Sequence, residues 1–330
     1  MKLLAKAQSS QRRLIEILRV IDEADKPIGA RAISDSLSDR GYNLGERAVR
    51  YNLKILDELG FTKKEGYSGR VLTQLGISEL ETALIDDRIG FINARIEEFM
   101  FRAGLDPEKS SGRVVVNTSL LDKADYELAA EVLLNVFEAG YSVSKRILVV
   151  EEKDCLPSFE VPEGCIVIAT LCSITLDSLL MKGGIPVNTS YAGVMDIREW
   201  LPGDFTDLIA YSGSSLDPMK IFMARKMTRV AEAVYKGKGN LLTNVREIPM
   251  ASIHHARTLL DQAKTAGLAG IIRIGMPGEP ILGCPVGAGK IGIAICAGVN
   301  GPTAAEEKGV RIKTTPISTL VEYSMMKELT

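Results

Sequence analysis

Residues 44–73 read LGERAVRYNLKILDELGFTKKEGYSGRVLT. Val49, Leu53 and Leu56 recur at the spacing of one helical face over residues 45–59, and Gly60 stands where helices commonly end. Residues 61–65 and 70–73 then predict two short strands around the turn GYSG. A helix that leads into a short basic hairpin is typical of the recognition helix and wing of a winged helix-turn-helix domain.

The upstream residues predict the other two helices of such a domain. The first covers residues 11–24, where four apolar residues share one helical face: Leu14, Ile17, Leu18 and Ile21. Pro27 ends this pattern, because proline does not fit inside a helix. A shorter helix follows and ends before Gly41. We therefore predict a winged helix-turn-helix domain over residues 1–75 and a helical linker over residues 76–110.

Basic residues occupy both surfaces of this domain that can meet DNA. Arginine and lysine neutralise phosphates, and arginine also reads base edges in the major groove. On the helix we predict operator contacts from Arg47, Arg50, Tyr51 and Lys54. On the hairpin we predict phosphate contacts from Lys63, Lys64 and Arg70. A winged helix used only for protein contacts is the alternative.

Charge is unevenly distributed along the chain. Residues 1–75 contain 14 Lys and Arg against 10 Asp and Glu, whereas the rest contain 26 against 32. Residues 1–75, here called the head, are thus basic, and the rest of the chain, here called the body, is acidic. This distribution suits a head that binds a polyanion. The 330 residues, 46% of them hydrophobic, suffice for two or three well-filled units. Because no apolar run is long enough for a membrane span or a signal core, we expect a cytoplasmic protein without membrane contact.

The remaining residues contain an internal repeat. At an offset of 127, residues 114–140 align with residues 241–267 without a gap, Asn117 meets Asn244, and Arg146 then meets Arg273. At an offset of 125, residues 166–190 align with residues 291–315. We place the repeats at about residues 113–197 and 240–322.

Each copy predicts the order strand, helix, strand, strand, helix, strand. That order suits a ferredoxin-like sandwich with two helices on one face of a sheet. The predicted fold class is therefore α+β, with an N-terminal winged helix-turn-helix and an internally duplicated βαββαβ effector-binding and dimerisation domain over residues 111–330. Two such halves leave a cleft between them, which is a usual place for a small ligand.

The sequence offers little of the chemistry that an enzyme needs. The stretch CPVGAGK resembles a phosphate-binding loop, but Cys284 and Ile291 stand where the motif requires glycine and a hydroxyl residue. The only histidines, His254 and His255, are adjacent and so face different directions on a helix. Five scattered cysteines without a C-x-x-C pair indicate reduced thiols. We expect no catalytic residues, no metal and no cofactor.

Hydroxyl-bearing residues cluster where predicted strands end. Hydroxyls, free N–H groups and an arginine suit a small carboxylate ligand. The candidate effector-binding residues are Asn188, Thr189, Ser190, Ser212, Ser214, Ser215, Arg273, Thr314 and Thr315. Ordinary strand-end turns, with the arginine as a surface charge, are the alternative.

Several other segments are distinctive, among them DDRIGFINARIEEF, YSGSSLDPMKIF, IGMPGEPILGCPV and TAAEEKGV. Together with the helix and hairpin of residues 44–73, they resemble the euryarchaeal nitrogen-regulation repressors, the NrpR family. The resemblance covers nearly the whole chain, which looks like a form with one winged-helix domain and one regulatory domain.

This resemblance implies a homodimeric repressor that binds double-stranded operator DNA at nitrogen-fixation and nitrogen-assimilation genes. It also implies that 2-oxoglutarate acts as the inducer and weakens operator binding. A metabolite-binding protein or an enzyme of small carboxylate metabolism, with a vestigial winged helix, is the alternative. The sequence leaves open whether a second repressor or a general transcription factor also binds.

Overall fold

The computed structural model describes residues 8–24, 26–66, 68–77, 80, 92–152 and 161–330. The chain divides into two compact units, residues 1–90 and 91–330. Tyr67 of the predicted turn, most of the first part of the predicted linker, and Cys155 lie outside the described residues. The two units are described in turn.

The described residues of the first unit include the three helices and the two-stranded hairpin that the sequence predicts. They are α1 (Gln8–Asp22), α2 (Ala30–Asp39), α3 (Glu46–Glu58), β1 (Thr62–Glu65) and β2 (Gly69–Leu72). The helices bury the predicted apolar faces against one another, with Ile17, Ile33 and Leu53 fully inaccessible. Gly45 is the N-cap of α3, which glycine tolerates at a cost of a few tenths of a kcal/mol relative to serine.

A third backbone segment ties the hairpin to the helices. Ile28 and Arg70 exchange backbone hydrogen bonds of 3.2 and 3.0 Å, so the connection between α1 and α2 extends the wing sheet. Gly69 makes this approach possible. Its φ is +133°, and a Cβ there would collide with the backbone of Ile28.

The second unit begins with a helix that the sequence interpretation assigns to the linker. This helix, α4 (Ile92–Arg102), buries Ile96, Phe99 and Met100 in the core of the second unit. The second half of the predicted linker therefore contains a helix that belongs to the core of the second unit. The short strand β3 (Gly104–Asp106) follows and pairs with the next strand of the chain.

The first repeat comprises β4 (Ser111–Asp122), α5 (Tyr126–Glu138), β5 (Arg146–Val150), β6 (Cys165–Leu171), α6 (Ile174–Lys182) and β7 (Asn188–Arg198). After it come β8 (Leu201–Ala210), α7 (Pro218–Ala224) and α8 (Val230–Lys236). The second repeat comprises β9 (Lys238–Pro249), α9 (Ile253–Thr265), β10 (Ile271–Ile274), β11 (Lys290–Cys296), α10 (Asn300–Glu307) and β12 (Ile312–Glu322), and β13 (Lys327–Glu328) ends the chain.

These bounds confirm the duplicated βαββαβ order. The limits of β4 and α5 reappear in β9 and α9 at the offset of 127, and those of β6 reappear in β11 at 125. One detail of the alignment is wrong, because Arg146 and Arg273 are not equivalent. Leu148 pairs with Ala169, and Arg273 pairs with the equivalent Ala294, after a register shift between Ile271 and Arg273.

The last strand of each repeat crosses into the sheet of the other. One antiparallel sheet has the order β12-β4-β6-β5-β13, with β3 beside β4, and the other has the order β10-β11-β9-β7-β8. Each half is thus a ferredoxin-like unit completed by its neighbour's final strand. This exchange makes the two repeats a single folding unit and places residues of both copies side by side.

Helices cover both faces of each sheet. In β6, Ile166 and Ile168 pack with α5, whereas Val167 and Ala169 pack on the opposite face with α6 and α9. Alternate residues of a strand point to opposite faces, so a strand buried on both sides is an unbroken apolar run. The segment CIVIATL of β6 and its counterpart KIGIAIC of β11 have that character.

Candidate DNA-binding surface and effector site

The helix α3 presents the predicted DNA-reading residues to solvent. Arg50, Tyr51 and Lys54 are 71%, 69% and 76% exposed, and Arg47 is exposed as well. Arg50 forms an ion pair with Glu46 at 2.6 Å, one turn earlier on the same helix. Such an exposed pair is weak, so it leaves the guanidinium available to a stronger acceptor.

The wing places its basic residues in two different environments. Lys63 and Lys64 are exposed on β1, as a phosphate contact requires. Arg70 is only 21% exposed and donates from Nε and Nη2 to Asp57 of α3, each at 2.9 Å. Thr62 donates to the same carboxylate at 2.6 Å. Arg70 therefore fastens the wing to α3, which differs from the phosphate contact that the sequence predicts.

The predicted hydroxyl clusters at the starts of β7 and β12 lie beside matching strand positions. Thr189 pairs in register with Arg246 of β9. Thr314 pairs with Ser119 of β4, and their hydroxyl oxygens lie 3.0 Å apart. Ser119 and Arg246 are equivalent in the two repeats. The structure thus brings these hydroxyls to two related places rather than to one.

Other predicted effector residues take part in local contacts. Asn188 and Ser190 both donate to Glu247, each at 2.9 Å. Ser214 donates to the carbonyl of Leu216 at 2.6 Å. The structure also leaves Ser212, Ser215 and Arg273 exposed and Thr315 half-buried.

A small cavity lies where residues of both repeats meet. It encloses about 20 Å³, and the equivalent residues Asn117 and Asn244 both line it, as do Ser173 and its counterpart Gly298. The close approach of the two copies explains the glycine. A Cβ on Gly298 would collide with the carbonyl oxygen of Leu171. The other lining residues are Ile96, Cys172, Ile174, Tyr211, Asp217, Met219, Arg246, Ala297, Val299, Pro316 and Ile317.

Arg246, which lines this cavity, forms an ion pair between the two repeats. Arg246 of β9 donates from Nε to Asp177 of α6 at 2.7 Å and from Nη2 to Ser173 at 3.3 Å. Both charged residues are fully buried. Burial by itself lowers the pKa of Arg246, but attraction to Asp177 and Tyr211 and the hydrogen bond to Asp177 act together to hold that pKa above its usual value. Arg246 is therefore a buried cation.

Asp217 and Tyr211 line the same cavity. The carboxylate of Asp217 caps α7 by accepting from the backbone N–H of Met219 at 3.0 Å, and burial raises its pKa. The hydroxyl of Tyr211 donates to Asn244 at 2.8 Å. The serine-rich segment predicted to bind the effector therefore borders the cavity through its two ends, Tyr211 and Asp217, and not through its serines.

The far wall of the cavity contains a strained residue. Ile317 of β12 has a φ of +48°, which β-branched residues rarely adopt. It lies in a register shift between Thr315 and Thr319 and accepts a hydrogen bond of 2.8 Å from Arg95 of α4. Asn117 accepts from the N–H of Ile317 at 3.2 Å, which helps to hold this conformation.

Arg246 is not among the site residues that the sequence predicts, although its position within an apolar strand is unusual. It stands in LLTNVREIP, a segment of β9 in which every residue before the arginine is apolar or neutral. A lone arginine inside a buried strand needs a partner. That partner, Asp177, lies 69 positions away on a helix of the other repeat, so spacing along the chain does not reveal it.

Other classes of site are not represented in the described ranges. They contain no group of three or more His, Cys, Asp and Glu side chains that could hold a metal ion. Burial raises the pKa of the Cys172 and Cys296 thiols to about 12, which disfavours the reactive thiolate. Among the same residues, no helix is long and apolar enough to cross a bilayer.

The chain is similar to proteins of one regulatory family along nearly its whole length. It is 51% identical over 319 residues to the Global nitrogen regulator NrpRI of Methanosarcina mazei, covering 97% of this chain and 98% of that protein. It is 36% identical over 316 residues to the Global nitrogen regulator NrpR of Methanococcus maripaludis, where the match covers 96% of this chain but 55% of that protein. These relatives are named as regulators, not as enzymes.

A solved structure and two family models agree with this similarity. The structure of a nitrogen repressor-like protein from Methanococcus jannaschii matches with a TM-score of 0.61 and 26% identity, covering 72% of this chain and 97% of that one. The model of the Ribonuclease R winged-helix domain matches residues 15–80. The model of NrpR regulatory domains NRD1 and 2 matches residues 89–328. The chain belongs to the NrpR family.

Proposed function

We propose that this protein is a cytoplasmic, homodimeric transcriptional repressor of nitrogen-fixation and nitrogen-assimilation genes, and that 2-oxoglutarate releases it from its operator. Membership of the NrpR family supports the regulatory role. The observation that carries DNA binding is the solvent-exposed face of α3, where Arg47, Arg50 and Lys54 lie together on a winged-helix scaffold.

The helix α3 and the wing have different roles in DNA binding. Arg47, Arg50 and Tyr51 are placed to reach base edges if α3 enters the major groove. Lys63 and Lys64 are placed to neutralise flanking phosphates. Arg70 supports this arrangement by holding the wing against Asp57.

The homodimer follows from the size of the recognition element. One winged helix reads only a few base pairs, and specific repression generally requires two half-sites separated by one or more helical turns. A dimer joined through the body presents its two heads at a spacing and orientation that match the two half-sites. An inducer that changes this spacing or orientation then releases the protein from the DNA.

An inducer acts through unequal affinity for two arrangements of the protein. A ~100-fold loss of DNA affinity corresponds to about 2.7 kcal/mol of coupling free energy between the two ligands. The body offers one unit in which both repeats share strands, so a ligand between them acts on the whole body.

The proposal is tested by DNA binding of the full chain at two salt concentrations. Fluorescence anisotropy should show tight binding to fragments from upstream of nitrogen-assimilation genes, with two chains per fragment by light scattering. Binding should weaken steeply with salt, because phosphate neutralisation releases counterions. It should also weaken by about 100-fold with 2-oxoglutarate. Equal affinity for an unrelated fragment would contradict the repressor role, and DNA binding indifferent to 2-oxoglutarate would contradict the inducer.

A further inference from the structure

The buried guanidinium of Arg246 is only partly satisfied by the protein. Its Nε and Nη2 donate to Asp177 and Ser173. Its Nη1 is buried and has no hydrogen-bond partner within the described part of the chain. Buried charged donors are nearly always paired, so one that is not indicates an acceptor supplied from outside.

The surroundings of this nitrogen favour an anionic acceptor. Arg246 lines the cavity between the repeats, together with the buried amides of Asn117 and Asn244. Ser173, the N-cap of the nine-residue helix α6, and Ile174, its first residue, also line it. The N-terminus of a helix attracts negative charge, because the aligned peptide dipoles of the helix leave a partial positive charge there.

We propose that this cavity is the effector site, and that the carboxylate of a small dicarboxylic acid binds to Nη1 of Arg246. The inference rests on the proposed release by 2-oxoglutarate and identifies the residues that bind it. Asn117, Asn244 and the start of α6 supply the remaining polar contacts. These residues differ from the hydroxyl clusters and Arg273 that the sequence indicates.

Although the body contains two repeats, it contains one such site and not two. The position equivalent to Arg246 is Ser119, and the position equivalent to Asp177 is Pro302, so the charged pair occurs in one register of the duplication only. Asp177 belongs to the first repeat and Arg246 to the second. Each chain therefore binds one ligand, at a contact that joins the two halves.

Ligand entry requires the cavity to widen. A volume of about 20 Å³ holds one water molecule, which is far less than a dicarboxylate needs. Ile96 of α4 and Ile317 of β12 line the cavity, and the hydrogen bond from Arg95 to Ile317 links these two elements. Binding therefore separates α4 from β12, and α4 is the first described element of the body. A ligand that moves it distinguishes two arrangements of the protein.

Calorimetric titration of the full chain with 2-oxoglutarate and with glutarate tests the site, with the neutral diamide glutaramide as the ligand control. Arg246→Lys keeps the charge but loses the forked donors, and we expect it to weaken binding of both acids at least ~10-fold. The matched control is Arg311→Lys, because Arg311 forms an exposed pair with Asp122 at 2.7 Å. That control should bind both acids as the unmodified chain does.

A second variant tests the site without breaking the buried ion pair. Asp217→Asn keeps the oxygen that caps α7 but removes a carboxylate that faces the same cavity. We expect dicarboxylates to bind several-fold more tightly, because a neighbouring negative charge is lost. Weaker binding would overturn the carboxylate assignment, since it would mean that the Asp217 carboxyl group holds the ligand instead of repelling its charge. This variant decides the question if Arg246→Lys does not fold, as judged by circular dichroism.

The outcomes separate the site from the function. Arg246→Lys should still bind operator DNA but should no longer be released by 2-oxoglutarate. If Arg246→Lys binds 2-oxoglutarate as the unmodified chain does, or if Arg273→Lys loses binding instead, the cavity is not the effector site and the proposed repressor stands. If the unmodified chain binds neither acid, both the site and the proposed inducer are overturned.

Discussion

At the residue scale, Arg50 offers the sharpest test of DNA reading. Its only described ion pair is the exposed one with Glu46, so its removal costs the fold little. Arg50→Ala should weaken operator binding by about 1–3 kcal/mol and relax sequence preference, because a base-reading arginine discriminates by that amount. Lys63→Ala should instead lower the slope of log affinity against log salt by about 1. Competition anisotropy over a panel of operator variants measures both effects.

A control and a contrary outcome complete this test. Arg102→Ala removes a similar pair, with Glu98 four residues earlier at 2.8 Å on α4 of the other unit. It should leave both affinity and sequence preference unchanged. If Arg50→Ala behaves in the same way, α3 is not the reading element.

The same scale shows what a sequence can and cannot reveal about a site. Exposure of Arg50 and Lys54 follows from helical periodicity, because the apolar positions of α3 fix which face is buried. The orientation of Arg70 does not follow from it. Its partner Asp57 is 13 positions away, and only the closed hairpin brings the two together. Arg246 is a stronger case, since its partner lies in a different repeat.

At the scale of elements, the wing depends on its attachment to α3. Asp57 accepts hydrogen bonds from Arg70 and Thr62 and is itself partly buried. Asp57→Asn loses the charge that these donors favour. We expect a local loss of about 1 kcal/mol, visible as faster amide hydrogen exchange in β1 and β2, with weaker DNA binding. The salt slope should stay unchanged, because no phosphate contact is removed. A lower salt slope would instead mean that Arg70 touches phosphate.

Elements were easier to predict than their pairing. The order of strands and helices in each repeat is local information, and the coincident limits of β4 with β9 and of β6 with β11 confirm it. Strand partners are set by the folded chain. Both β7 and β12 follow their helices directly, yet each pairs with the other repeat's first strand. Apolar patterning is equally satisfied in either sheet, so the exchange leaves no mark in the sequence.

At the scale of the whole molecule, the exchanged strands give the body few ways to move. The two repeats cannot separate without breaking the β12–β4 and β7–β9 ladders, which are long antiparallel pairings. A ligand between the repeats is therefore expected to act by displacing what covers the cavity. Of the lining elements, α4 is linked to β12 by the hydrogen bond from Arg95 to Ile317, and it precedes all strands of the body in the chain.

Coupling between inducer and operator must be reciprocal if both act on one equilibrium. If 2-oxoglutarate lowers operator affinity about 100-fold, saturating operator DNA must lower 2-oxoglutarate affinity about 100-fold as well, which is about 2.7 kcal/mol. Calorimetric titration of the full chain with 2-oxoglutarate, without DNA and with a saturating operator duplex, measures this directly. An unrelated duplex of the same length controls for nonspecific charge effects. Equal affinities in the presence and absence of operator would show that ligand and DNA do not compete through the conformation of the protein, and release would then need another cause, such as loss of a partner.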